Sequence, residues 1–97
     1  MAESRVHLTH EAAELLAVDA LSFLASEPEA LGRFLALTGI GPGMLRTAAA
    51  DPDFLIGVLD YFLGDEPLLV AYAQHAGIPE REVAAARRTL GRDEEAS

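Results

Sequence analysis

The sequence predicts an all-α protein: a compact multi-helical single domain of five to six short helices around a central apolar helix, ending in a helix-turn-helix-like corner. Three observations carry that expectation. Apolar residues recur at helical spacing, and no segment alternates with the two-residue period of a strand. Prolines and glycines punctuate the chain at Pro28, Gly39, Pro52, Gly64, Gly77 and Gly91, leaving segments of helical length between them. Finally, the stretch Phe54–Leu63 holds three of the six aromatic residues and is broken only by Gly57 and Asp60. At 100° per residue its apolar side chains spread over nearly the whole circumference, the pattern of a helix enclosed by neighbours.

The elements follow in order, within a domain expected over residues 9–91. Residues 1–8 read as a loose lead-in, and Thr9 as the N-cap of a first helix reaching about Ser26. On that helix Ala13, Leu16, Ala20, Phe23 and Leu24 gather on one face, and Glu11, Asp19, Ser22 and Ser26 on the other. Leu15 and Val18 fall on the polar side, either singly exposed or as a contact with another chain. Ser26-Glu-Pro-Glu29 has the form of a capping box opening a second helix to about Thr38, with Leu31, Phe34 and Leu35 inward. Gly39 should stop it at positive φ, and Ile40-Gly41-Pro42 should lead into a short third helix over Pro42–Ala50.

Asp51-Pro52 supplies an N-cap and a proline at the first helical position for the central helix, which Gly64 closes. Asp65-Glu-Pro67 starts a fifth helix burying Leu69, Tyr72, Ala73 and Ala76, and Gly77 ends it. The last helix is expected over Glu80–Leu90, with Gly91 terminating it before a disordered polar tail, 92–97. Gly57 reads as a close helix-crossing point. Asp60 either occupies a narrow solvent gap or pairs with an arginine such as Arg33 or Arg46. Gly39-Ile40 before Leu45 echoes Gly77-Ile78 before Val83, a similarity that shared capping chemistry explains without a duplication.

Composition narrows the function classes. The 97 residues fit one domain, and 51% hydrophobic with 24% charged residues is an ordinary globular balance. The absence of cysteine removes disulfides, thiolate metal sites and thiol nucleophiles, and suits a cytoplasmic setting. The net charge of −9 is uneven: residues 1–78 carry three arginines against eleven acids, while Arg81, Arg87, Arg88 and Arg92 face only Glu80 and Glu82 locally. An acidic body opposes phosphate backbones and anionic lipid. No apolar run reaches the roughly 18–20 residues of a membrane span, and residues 1–7 have no apolar signal core. A soluble protein with no membrane partner is therefore expected.

Few constellations suggest chemistry. Ala73, Gly77, Ile78, Val83 and Ala86 sit where a DNA-binding helix–turn–helix places its small residue, turn glycine and core positions. Such a reading helix would offer Arg81, Arg87, Arg88 and Arg92 to phosphates, but it would also present Glu80 and Glu82. His7, His10, Glu11 and Glu14 could share a metal-binding face if the first helix began early, whereas a cap at Thr9 leaves His7 outside it. Asp51, Asp53, Asp65 and Glu66 all adjoin helix starts, where capping accounts for them. Tyr61 and Tyr72 suit core positions with hydroxyls at the surface, and His75 the negative end of a helix. No phosphate loop and no nucleophile with a spaced base is present, so no catalytic residue, cofactor or metal is assigned.

Several segments also resemble a known family. Ala20-Leu-Ser-Phe-Leu-Ala, Leu31-Gly-Arg-Phe-Leu-Ala-Leu-Thr-Gly-Ile-Gly-Pro, Ala49-Ala-Asp-Pro-Asp-Phe-Leu and Asp65-Glu-Pro-Leu-Leu are similar to domain of unknown function 3572, a family of roughly hundred-residue, largely alphaproteobacterial proteins. The likeness runs from about Glu11 to Gly91, with Leu-Gly-Arg-Phe-Leu its most specific part. The resemblance implies a cytoplasmic bacterial protein and brings no activity or catalytic residue with it. The expected role is a small acidic interaction or regulatory module without catalysis, meeting another protein or a second copy through Leu15 and Val18. The alternative is nucleic-acid binding through the four C-terminal arginines.

Overall fold

Helix α1 spans His10–Ala25, α2 Pro28–Thr38, α3 Leu45–Ala48, α4 Pro52–Leu63, α5 Glu66–Ala76 and α6 Glu80–Ala96, with a 3₁₀ turn at Pro42–Met44 leading into α3. The computed structural model describes residues 8–96, and side chains as far as Gly91. Among the described residues there is no strand. The fold class expected from the sequence is the one observed: six helices in one globule, whose radius of gyration of 13.1 Å matches the ~13 Å of a compact chain of about 100 residues.

The caps explain most boundaries. Thr9 accepts the Ala12 N–H, Asp51 the Asp53 N–H and Asp65 the Leu68 N–H, so three helices begin on a side-chain acceptor. Gly39 and Gly77 end α2 and α5 in the left-handed region, at φ 75° and 71°. Their motifs differ. At Gly77 the Ile78 N–H reaches the Ala73 carbonyl and the Gly77 N–H that of Gln74, a Schellman pair, whereas Gly39 makes a single bond to the Leu35 carbonyl.

Three local expectations are corrected. Ser26 does not form a capping box with Glu29: it closes α1, its hydroxyl donating to the Phe23 carbonyl at 2.6 Å, and the extended residue before α2 is Glu27, with no side-chain cap. The hydroxyl has a helix-end carbonyl behind it and an N–H ahead, and it joins its own backbone N–H on the Phe23 carbonyl. Gly91 does not end the last helix, since α6 continues through Gly91 to Ala96. Glycine inside a helix costs only about 1 kcal/mol and need not stop it; positive φ occurs only at Gly39 and Gly77 among the described residues. The single third helix is split, since residues 42–44 wind as 3₁₀ and only 45–48 as α. The lead-in residues 1–7 and Ser97 lie outside the described residues.

The core is a triangle of α1, α4 and α6, each packed on the other two, with α2 laid on α1 and α5 on α4 and α6. α4 contributes Leu55, Val58, Leu59 and Phe62; α1 gives Ala13, Ala17, Ala20, Leu21 and Leu24; α6 gives Val83, Ala86 and Leu90. Alanines on α1 and α6 let those two axes approach closely. Aromatic contacts tie the outer helices on: Phe23, Phe62 and Tyr72 meet with ring centroids 5.4–6.4 Å apart, and Phe34 meets Phe54 and Tyr61 at 5.7 and 5.2 Å. α4 is less enclosed than its sequence suggests. Asp53, Gly57 and Asp60 form an exposed stripe along it. Gly57 is not a crossing point, since a Cβ there would meet nothing within 4 Å.

Candidate functional site

The α5–α6 corner has the small Ala73, the left-handed Gly77 and the buried Val83 and Ala86 that its sequence predicted. Its second helix is nonetheless a core element, docked on α1 and α4 along much of its length. The arginines are divided as a result. Arg81 and Arg88, seven residues apart on one face, are exposed. Arg87 turns instead toward α4, where its Nε donates to Asp60 Oδ1 at 2.7 Å. This identifies the partner of Asp60 as Arg87, rather than Arg33 or Arg46. A Cβ on Gly91 would stand 2.5 Å from Arg87 Nη1, so the glycine one turn on leaves room for the guanidinium as it lies. The side chain of Arg92 lies outside the described residues. Arg33, for its part, is 3.9 Å from Asp65.

The two isolated apolar residues on the polar side of α1 are both exposed. Leu15 is 66% and Val18 40% exposed. They border a groove between α1 and α3, made of two adjoining concavities of about 380 and 300 Å³ that share Val18 and Ala49. The groove arises because α3 has a single turn of α-helix and only Leu45 and Ala49 packed on the core. So short an element leaves Leu15, Val18, Ser22 and Ala25 of α1 exposed. One end of the groove carries Glu11 and Glu14, and the other carries Arg46, beside Ser22 and Ala25. Met44, 55% exposed, adjoins α3 in the chain.

Other polar groups have structural partners. Tyr72 is buried, and its hydroxyl donates to Asp19 Oδ2 at 2.8 Å; burial, then that hydrogen bond to a carboxylate, push the phenol well above its ordinary range. Tyr61 donates to the Ala30 carbonyl at 3.3 Å. His75 sits in the last turn of α5 with its ring 5.0 Å from that of Phe23. His10 Nε2 lies 3.3 Å from Glu14, and His7 lies outside the described residues. No group of three or more metal-ligating side chains occurs among the described residues. No helix is long and apolar enough to cross a membrane, among the residues described.

Sequence reasoning missed a second concavity, a broader depression of about 750 Å³ between α2, α4 and the start of α5. Arg33, Leu37, Asp60, Tyr61 and Glu66 line it, and Leu37 is 74% exposed. The one available signal was Leu37 itself, an apolar residue at the open end of α2. Two of its acids are engaged, Asp60 by Arg87 and Asp65 in capping α5, while Glu66 has no ion pair among the described residues. The α1–α3 groove joins a pair of exposed apolar residues, Leu15 and Val18, to opposite charges at its two ends, and Arg46 has no ion pair among the described residues.

No curated protein and no solved structure matches the chain. Residues 10–93 match the family described as "Protein of unknown function (DUF3572)", and the chain belongs to that family.

Proposed function

We propose that this chain is a small acidic interaction module, non-catalytic, that engages another polypeptide through the α1–α3 groove. The carrying observation is the exposure of Leu15 and Val18 beside a concavity lined by Leu21, Leu45 and Ala49. Single exposed leucines are common, but an exposed pair one turn apart beside a groove is the anatomy of a contact patch, apolar at its centre and charged at its rim. A cytoplasmic bacterial setting fits the lack of cysteine. The test is crosslinking and capture from the native host with the wild type and with Leu15→Glu. A specific partner captured by the wild type and lost with Leu15→Glu supports the reading. Equal capture by both sinks it.

Nucleic-acid binding is the second reading, resting on exposed Arg81 and Arg88. It has two described cations free to act instead of three, because Arg87 is held by Asp60. A shift assay with duplex DNA at about 50 mM salt, where phosphate contacts are strongest, decides it: no shift at micromolar protein ends this reading.

A further inference from the structure

We infer that the occupant of the α1–α3 groove is a second copy of this chain, the two α1 helices crossing antiparallel about Val18. This rests on the reading of the groove as an interaction surface and adds its partner. Glu11, Leu15, Val18, Ser22 and Ala25 are all exposed and follow one another at spacings of four, three, four and three along α1. That is the seam spacing with which one helix packs against another. The seam is also self-complementary. It is apolar in the middle, has its bulky residue, Leu15, on one side of Val18, and has the small Ser22 and Ala25 on the other.

A two-fold axis near Val18 uses each of these features. It sets Leu15 of one copy against Ser22 of the other, over the concavity lined by Leu21 and Leu45. The reciprocal contact follows from the symmetry, since a two-fold interface pairs the same patch with itself. The charges match under the same operation. Glu11 and Glu14 stand at one end of the groove and Arg46 at the other, so an antiparallel crossing brings the acidic end of each copy to the Arg46 of its mate. A parallel crossing would set acid on acid. The net charge of −9 on each copy works against association, which makes the local Glu–Arg match the feature that selects this face.

The experiment is sedimentation equilibrium of the full chain from about 10 μM to about 1 mM, at about 0.15 M salt, where distant charges are screened and contacts are not. The weight-average mass should climb from 10.3 kDa towards twice that value. Leu15→Glu, at an exposed position and with helicity checked by circular dichroism, should hold it at the monomer value. Glu14→Arg and Arg46→Glu should each weaken self-association at least tenfold, by setting like charges together. An equimolar mixture of those two variants should dimerise again, because both pairs between positions 14 and 46 in the mixed species are then opposite in sign. Failure of the mixture to dimerise, or an unchanged dimer with Leu15→Glu, overturns the inference. A monomeric wild type that captures a different protein through Leu15 overturns it too, while leaving the interaction reading standing. A monomer that captures nothing removes both.

Discussion

Arg87 and Asp60, twenty-seven residues apart in sequence, clasp α6 to α4 through an Nε–Oδ1 hydrogen bond of 2.7 Å. The pair is open to water on the carboxylate side, with Asp60 53% and Arg87 35% exposed at the side chain. Solvent screening therefore limits its worth. A double-mutant cycle with Arg87→Ala and Asp60→Ala should give a coupling energy of about 0.2–1 kcal/mol that declines with salt. A coupling above ~2 kcal/mol by urea denaturation would mean the contact is drier than it looks.

Removing the Tyr72 hydroxyl should be felt more, and in a particular pH range. Tyr72→Phe should cost about 1.5–3 kcal/mol at pH 7, the usual worth of a hydrogen bond to a charged group. The phenol is held protonated in the fold, above its ordinary value of about 10, by burial and by Asp19. Its contribution is thus fully present below pH ~10 and is lost as pH rises from there through the folded value. The chain has no lysine and no cysteine, and arginine keeps its proton, so the side chains that titrate in this window are tyrosines. Denaturation midpoints from pH 8 to 11 should fall more steeply for the wild type than for Tyr72→Phe. Parallel curves would show that Tyr72 is not shielded.

Two glycines should respond in opposite directions to one substitution. Gly77→Ala forces a Cβ into a left-handed residue at φ 71° and should destabilise by about 1–2 kcal/mol. Gly57→Ala lies in mid-helix with nothing near the added carbon, and should stabilise by about 0.5–1 kcal/mol. Thermal midpoints of the two variants should fall on either side of the wild type. A destabilising Gly57→Ala would restore the crossing-point reading of that residue.

Phe62 and Leu15 offer the same contrast between core and surface. Phe62 is fully buried beside Phe23 and Tyr72, so Phe62→Ala should cost about 3–5 kcal/mol. Leu15→Ala should alter stability in dilute solution by less than about 0.5 kcal/mol. A large loss at Leu15 would mean its side chain belongs to the core.

What could be read from the chain depended on how local its cause was. Thr9, Asp51, Asp65, Gly39 and Gly77 were legible, because each acts within one turn of itself. Ser26 was misread because two groups competed for its hydroxyl, and only the corner between α1 and α2 decides between them. Gly91 was misread because a glycine is a stop only when the following chain turns away, and here the helix goes on. Phe54–Leu63 is core as expected and Asp60 does face water, but the narrow gap expected at Asp60 is a stripe that takes in Asp53 and Gly57 as well. Asp60 and Arg87 could not be paired from sequence, since their meeting depends on how α4 and α6 cross. The candidate site was half legible: Leu15 and Val18 stood out on a polar face, whereas the groove beside them exists only because α3 is too short to cover it.

The seating of Tyr72 has a spectroscopic consequence. The chain has no tryptophan and two tyrosines, so its near-ultraviolet dichroism comes from very few chromophores. Tyr72 is fixed between Phe23 and Phe62 and anchored through its hydroxyl to α1, which gives its ring one asymmetric setting. Its band is thus a native probe of whether α5 is seated on α1, readable without a label and separable from Tyr61 by the Tyr72→Phe variant.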